Sequence, residues 1–175
     1  MIIHIDMSNR YNQNSYSVIA GVSVNESNKN HIFEKAIVIT DPIRKELIKN
    51  YSVHKIHASI INLLIKDTQR IKKIIICSDV NPVDKVMSLV NELLPGMFGR
   101  IKSIEDLREE IGDKTFQSKA DGFARNVNRN FPKRLNKHRR KNYFDNESVI
   151  VIDNEKSNDY KLILKFLNTL KKKEK

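Results

Sequence analysis

The sequence predicts an α/β fold in which a mixed sheet, three antiparallel strands followed by parallel strands, carries helices on both faces. Two runs rich in β-branched residues, 2–5 and 74–76, have the composition of central strands covered on both sides. Polar turns separate the first three strand patterns, 2–7, 16–24 and 32–39, as in an antiparallel meander. Helix and strand patterns then alternate, which indicates a mixed sheet between helices.

The later elements follow from helix signals and apolar spacing. Asp41 and Pro42 predict a helix start with the acid as cap, and helical spacing continues to Ile65 with a pause at 50–52. Gly21 interrupts the second strand pattern. The remaining patterns predict a strand at 73–78, a helix at 83–94, a strand at 97–104, a helix at 105–111, a helix at 116–128, a strand at 148–152 and a helix at 160–170.

Length and composition fit one compact domain with a basic surface. The chain has 175 residues, a net charge of +11 and a single cysteine, Cys77. One cysteine allows no disulfide framework within the chain, so we expect a reducing, cytoplasmic location. No signal-peptide pattern opens the sequence, and no apolar run is long enough to cross a bilayer, so no membrane partner is expected. We assign 1–145 to the main domain and 146–175 to a strand and helix of the same domain, which extend the sheet edge or form a homodimer contact.

Positive charge is concentrated after the middle of the chain. Residues 114–142 hold ten lysines and arginines against one aspartate, which gives +9 of the total +11. Phe131, Tyr143 and Phe144 flank this basic segment and are candidates for stacking on bases. Such a cluster predicts salt-sensitive binding of a nucleic-acid backbone rather than a solvated lysine face. The candidate nucleic-acid-binding residues are Arg125, Arg129, Lys133, Arg134, Lys137, Arg139, Arg140 and Lys141.

Carboxylates stand where the two central strand patterns end. Asp6 and Asp79 each follow an apolar run, and removing a carboxylate from water there costs free energy. Helix capping is a fair alternative for Asp79, because Pro82 and Val83 open a helix pattern. It is a weaker alternative for Asp6, which precedes a loop and a strand. If the two strands lie side by side, the pair indicates a divalent-metal site.

Three short stretches resemble the ribonuclease H-like superfamily and cover, with the elements around them, most of residues 1–130. Ile5-Asp6-Met7-Ser8 resembles the first-strand Asp-x-Ser of ribonucleases H, and Ile76-Cys77-Ser78-Asp79-Val80 resembles the Ser-Asp after their fourth strand. The stretch from Ser118 to Arg125 resembles the Ala-Asp-x-x-Ala-Arg of their last catalytic helix. The chain also resembles an uncharacterised ribonuclease H-like family that opens with Ile-Asp-x-Ser, and Gln117 and Asp121 resemble that family's closing helix.

The resemblance implies a site with two divalent ions, Mg²⁺ or Mn²⁺, held by Asp6, Asp79 and Asp121 as catalytic ligands. One departure concerns the acid on the first long helix. Counting back from Asp79 reaches His57, and Glu46 is the nearest upstream carboxylate on that helix pattern. Either His57 or Glu46 takes the fourth ligand position, or the site is incomplete. A histidine ligand would favour Mn²⁺. The alternative for His57 is a histidine on the helix surface, and the alternative for Asp121 is an ordinary solvated aspartate on a helix.

These observations predict a metal-dependent nuclease that cuts RNA, an RNA–DNA hybrid or structured DNA. The missing helix acid favours a second hypothesis, a non-catalytic nucleic-acid-binding protein with a degenerate site. A third hypothesis is an assembly protein that uses the basic segment to bind a ribonucleoprotein. The sequence contains no phosphate-binding glycine loop, no Cys/His zinc spacing and no Gly-x-Ser-x-Gly motif, which argues against those enzyme classes.

Overall fold

A six-stranded mixed sheet forms the centre of the molecule. The computed structural model describes residues 1–8, 16–24, 31–77, 80–135 and 148–172. In chain order the strands are β1 (Ile2–Ser8), β2 (Tyr16–Val24), β3 (His31–Thr40), β4 (Lys73–Ile76), β5 (Ile101–Ser103) and β6 (Val149–Ile152). They lie in the order β5-β4-β1-β2-β3-β6, with β1, β2 and β3 antiparallel and the other neighbours parallel. The predicted mixed sheet is therefore confirmed.

Helices cover both faces of this sheet, as predicted. They are α1 (Asp41–Asn50), α2 (Val53–Ile65), α3 (Val83–Leu93), α4 (Ile104–Ile111), α5 (Asp121–Leu135) and α6 (Asn158–Lys172), with a short 3₁₀ turn at Pro95–Met97. Helices α1, α2, α3 and α6 bury their apolar residues in the larger of two cores, while α5 packs on the opposite face. None of the helices in the described ranges is long and apolar enough to cross a membrane.

Strand β1 divides its side chains between the two faces. Ile3, Ile5 and Met7 belong to the larger core, because alternate residues of a strand point to opposite sides. His4, Asp6 and Ser8 therefore face the side covered by the segment that leads into α5 and by α5 itself. The apolar alternation fixes this register, since a slip of one residue would exchange the two sets.

Strand β4 brings the second predicted strand end beside the first. It pairs with β1 in parallel, with Ile5 opposite Ile76, and the Cys77 amide donates to the Ile5 carbonyl at 2.8 Å. The two central runs thus lie side by side, as the metal-site hypothesis required. Asp79 itself lies outside the described residues.

Two helix starts differ from their predictions. Thr40, not Asp41, is the residue before α1, and Asp41 is the first helical residue, where its carboxylate pairs with Arg44 at 2.6 Å and Lys45 at 2.8 Å. The helix predicted at 116–128 begins at Asp121 instead. The apolar residue Phe116 fits a helical stripe, but its carbonyl accepts the Arg108 Nε–H at 2.8 Å and its ring packs against His4, which holds the backbone outside the helix.

The chain from Val149 onward belongs to the same sheet. Strand β6 pairs in parallel with β3, and α6 packs against α2 and α3. The sequence predicts that residues 146–175 either extend the sheet edge or form a homodimer contact. The described part, through β6, extends the sheet edge. The prediction that Gly21 interrupts the second strand is wrong. Gly21 pairs with Ile5 of β1 and Lys35 of β3, and β2 continues beyond it.

Gly21 sets how closely α2 approaches the sheet. A Cβ at this position would lie 2.9 Å from Leu64 Cδ2 and 3.0 Å from Phe33 Cε1. We expect Gly21→Ala to lower the free energy of unfolding by about 1–3 kcal/mol, the usual cost of overpacking a core. Urea denaturation measures this effect.

Gly122→Ala is the matched control, because a Cβ there meets no atom of the described chain within 4 Å. In helix α5 this change is expected to be neutral or to stabilise by up to about 1 kcal/mol. Equal stability of Gly21→Ala and the wild-type protein would show that α2 does not rest on Gly21.

Candidate functional site

Asp6 is a buried carboxylate near the C-terminal end of the central strand β1, two residues before the strand ends at Ser8. Its side chain is 8% exposed, and its Oδ1 accepts the Met7 amide proton at 2.7 Å. The side chains of Cys77 and Ser118 also hydrogen-bond to it. These donors come from β1, from the residue after β4 and from the segment before α5, so three parts of the chain meet at one carboxylate.

Burial, with a smaller contribution from the negative charge of Asp121, raises the pKa of Asp6 to about 6. The hydrogen bonds from Met7, Cys77 and Ser118 oppose the shift, because they stabilise the ionised form. Desolvation outweighs them. A carboxylate with a raised pKa in a cleft is typical of functional sites, where chemistry rather than stability selects the residue.

The Cys77 thiol acts as a neutral donor in this group. Burial raises its pKa to about 12, and the neighbouring charge of Asp6 acts in the same direction. A thiol with such a pKa is protonated at neutral pH and is a poor nucleophile. Cys77 therefore supports Asp6 and is not a candidate for covalent catalysis.

The turn at 116–121 places Asp121 in the same cleft as Asp6. Ser118 Oγ accepts the Ala120 amide at 3.2 Å, and the Ser118 carbonyl accepts the Asp121 amide at 3.3 Å. The first helical bond of α5 runs from Ala124 N–H to the Ala120 carbonyl at 2.9 Å. This local structure places a serine that hydrogen-bonds Asp6 only three residues before Asp121.

Helix α5 is fixed to the sheet farther along its length. Asn128 Nδ2 donates to Ser8 Oγ at 2.8 Å, and the Tyr16 hydroxyl donates to the Asn128 carbonyl at 2.9 Å. The Tyr16 and Phe131 rings lie 4.8 Å apart. Phe131 is thus a buried residue of the smaller core, and the expectation that it stacks on bases is wrong; Tyr143 and Phe144 lie outside the described residues.

A cleft of about 430 Å³ opens above Asp6. Its volume lies within the ~300–1,000 Å³ of ligand-binding clefts. Two acids and two arginines share it, and Asp121 is paired with Arg125 at 2.7 Å between Oδ1 and Nε. The lining consists of Asp6, Met7, Ser8, Cys77, Arg108, Gln117, Ser118, Asp121 and Arg125.

The described part of this cleft supplies two carboxylates for a cation. Within the described ranges, no group of three or more His, Cys, Asp or Glu side chains is placed to hold a metal ion. Carboxylate and hydroxyl oxygens are nonetheless the donors that Mg²⁺ and Mn²⁺ prefer. The donor types fit a hard divalent ion, and a third carboxylate would have to come from Asp79, of whose placement nothing is described.

The two residues considered for the fourth ligand position lie elsewhere. His57 is fully buried in α2, which packs in the larger core, so the alternative of a surface histidine is wrong. Glu46 accepts the Asn50 amide at 2.7 Å, and its charge contributes to the raised pKa of Tyr160 on α6. Neither residue is among those that line the cleft as described.

The first turn of α2 does approach the end of β4. His54 Nε2 lies 2.8 Å from the carbonyl oxygen of Asn81, two residues after Asp79 in sequence. Helix α2 therefore begins beside the segment that follows β4, although neither of its histidines lines the cleft as described.

The basic segment is described only as far as α5 extends. Arg125 and Arg129 are exposed on α5, one turn apart, and only Arg125 lines the cleft. Lys133 and Arg134 lie in the last turn of the helix. Lys137, Arg139, Arg140 and Lys141 lie outside the described residues.

Sequence reasoning missed Arg108 and Ser118 as site residues. Arg108 lies near the end of α4, and its donation to the Phe116 carbonyl brings it to the cleft. That contact requires the turn before α5. The sequence pattern predicts a helix from Phe116 onward and therefore does not predict this turn. One sequence feature could have predicted a local role for Ser118. A serine shortly before a helix that begins with an acidic residue commonly accepts hydrogen bonds from backbone amides.

Removing the charge of Asp6 is expected to stabilise the protein above pH 6. The raised pKa means that the folded state binds this proton more tightly than the unfolded state. The wild-type protein therefore loses stability as pH rises from about 4 to about 6. Asp6→Asn should match the wild type below pH 4 and exceed its free energy of unfolding by about 1–3 kcal/mol at pH 7.

Urea denaturation of both proteins at each pH measures this difference. Burial lowers the pKa of His4 to about 4, with the charge of Lys119 acting in the same direction, but His4 is common to both proteins and cancels in the comparison. A difference that does not change with pH would contradict the raised pKa.

Each of the three stretches that resemble ribonucleases H contributes a described side chain at Asp6: β1 carries Asp6 itself, Cys77 follows β4, and Ser118 lies in the turn into α5. Comparison with protein-family models, with curated proteins and with solved structures finds no significant match to the chain.

Proposed function

We propose that this protein is a divalent-metal-dependent nuclease that hydrolyses phosphodiester bonds in RNA, an RNA–DNA hybrid or structured DNA. The observation that carries the proposal is the desolvated Asp6 carboxylate, which shares a cleft with Asp121 at the end of the central strand. A buried carboxylate that lowers the stability of the protein at neutral pH is explained if its function is to bind a cation.

The residues of the cleft divide into two chemical roles. Asp6 and Asp121, with Asp79 from the sequence, would hold one or two Mg²⁺ or Mn²⁺ ions. Bound ions of this kind lower the pKa of a water and neutralise charge on the leaving oxygen. Met7, Cys77 and Ser118 orient Asp6 by donating to it, which fixes the direction of its remaining lone pairs.

The charge of the cleft suits an anionic substrate together with a cation. Two arginines balance two ionised carboxylates, so the lining as described is neutral. A phosphodiester alone would make the site negative, and a divalent ion alone would make it positive. Arg129 is exposed one helical turn beyond Arg125, and the sequence after it is rich in lysine and arginine, a composition that would hold a longer strand.

A panel of labelled substrates tests the proposal. Single-stranded RNA, duplex RNA, RNA–DNA hybrid and a four-way DNA junction are incubated with Mg²⁺ or Mn²⁺ and the wild-type protein. We expect Asp6→Asn and Asp121→Asn each to reduce cleavage by more than about 100-fold, since even the outer partners of metal ligands contribute about 10–100-fold. Because the carboxylates of the described lining offer oxygen ligands, Mg²⁺ should serve at least as well as Mn²⁺, and a clear preference for Mn²⁺ would indicate a nitrogen ligand from outside that lining.

Asp67→Asn is the matched control for the panel. Asp67 is exposed after α2 and does not line the cleft, so the same change of charge there should leave cleavage unchanged. Cleavage that survives Asp6→Asn would come from a contaminant or from another site and would contradict the proposal.

The second candidate is a nucleic-acid-binding protein without catalysis. The Asp121–Arg125 ion pair favours it, because a carboxylate already matched by an arginine is less available to a cation. This candidate predicts salt-sensitive binding with no cleavage in either ion, and binding that is unchanged or tighter in Asp6→Asn. Loss of binding on removal of the divalent ion would argue against it.

A further inference from the structure

Arg108 differs from the other cleft arginine in its partners. Its Nε donates to the Phe116 carbonyl at 2.8 Å, which fixes the guanidinium plane at the cleft wall. No carboxylate in the described ranges lies within ion-pair distance of Arg108, whereas Arg125 is paired with Asp121. Of the two cleft arginines, Arg108 is thus the one that no described carboxylate pairs at close range, although its charge also acts on Asp113, the pKa of which is lowered mainly by the hydrogen bonds from Thr115.

The free donors of Arg108 point to an anion with several oxygens. A guanidinium has five N–H donors, and one of them is used on Phe116. None of the described residues accepts a hydrogen bond from the terminal nitrogens. The planar fork of two nitrogens matches two oxygens of a phosphate, and a partly buried arginine is less hydrated and easier to pair than a lysine.

The position of Arg108 relative to Asp6 suits a phosphate beside the reacting bond. Arg108 and Asp6 line the same cleft. Burial raises the pKa of Cys77, the residue that hydrogen-bonds Asp6, and the charge of Arg108 opposes that rise. Helix α4 packs beside β4 and β5, while α5, which carries Arg125, packs over β1 and β2. The two arginines therefore enter the cleft from elements on different sides of Asp6.

We propose that Arg108 binds the phosphate oxygens of a nucleic-acid backbone at the cleft and positions the strand beside Asp6. This inference rests on the proposed function only in taking the ligand to be a nucleic acid. It assigns Arg108 a positioning role, because the group touches the phosphate and not the attacking water. Asp6 and Asp121 would repel a backbone phosphate, and the charge of Arg108, which forms no ion pair with a described carboxylate, offsets that repulsion.

Equilibrium binding without divalent ions separates this role from catalysis. A fluorescein-labelled 12-nucleotide strand and an RNA–DNA hybrid are titrated by anisotropy in EDTA with wild type, Arg108→Gln and Arg108→Lys. Arg100→Gln is the matched control, since Arg100 is exposed, lies outside the cleft lining and loses the same charge. We expect about 10-fold weaker binding for Arg108→Gln, a salt slope reduced by about 1, and a change below about 2-fold for Arg100→Gln.

Arg108→Lys covers the case in which the glutamine variant fails to fold. It keeps the charge but loses the planar fork, so binding should weaken by about 3-fold or more while the salt slope is retained. Binding by Arg108→Lys equal to wild type, or by a folded Arg108→Gln equal to Arg100→Gln, would overturn the assignment.

The outcomes also distinguish this inference from the nuclease proposal. Weaker binding by Arg108→Gln with no cleavage by the wild type would keep the Arg108 site and reject the nuclease. Normal cleavage by Arg108→Gln with an unchanged KM would reject the Arg108 site and keep the nuclease. Absence of nucleic-acid binding by the wild type both in EDTA and with Mg²⁺ or Mn²⁺ would reject both.

Discussion

The burial of the Asp6 carboxylate is the constraint on which the site depends. Strand β1 lies between β2 and β4, so its end is removed from water unless the chain leaves an opening there. The segment before α5 lies over this strand end, and its Ser118 hydroxyl, together with the Cys77 thiol, compensates part of the lost hydration. The part of the desolvation cost that these hydrogen bonds do not offset raises the pKa of Asp6. Binding of a cation or a proton would relieve that remaining cost.

The rest of the architecture maintains this arrangement. Gly21 lets α2 pack closely on one face, which keeps the sheet buried on that side. On the other face, the contacts of Asn128 with Ser8 and Tyr16 hold α5 at a fixed orientation. Because α5 cannot rotate freely about its axis, Asp121 stays at the cleft, where its charge adds to the shift at Asp6.

Apolar periodicity was enough to predict the mixed sheet, because the central strands β1, β2 and β4 are almost continuously buried and the alternation on β1 permits one register. The strand predicted at 97–104 was too long, since β5 has only the three residues Ile101–Ser103. It also placed Asp6 at a strand end. It did not predict the start of α5, since the side chain of Phe116 fits a helical stripe while its carbonyl is taken by Arg108. The roles of Arg108 and Ser118 depend on that turn and on contacts distant in sequence, which spacing alone does not encode. His57 was found by counting along the chain, and its burial in α2 follows from packing between helices instead.

The most direct test of the account is the pKa of Asp6 itself, followed by carboxyl-carbon NMR during a pH titration of the wild-type protein and of Asp121→Asn. The structure predicts a value near 6 in the wild type and a lower value in the variant, because the variant removes one of the causes that raise it. A wild-type value near 4, close to that of an ordinary aspartate, would show that Asp6 is well hydrated and would contradict the claim that the site is built around a desolvated carboxylate.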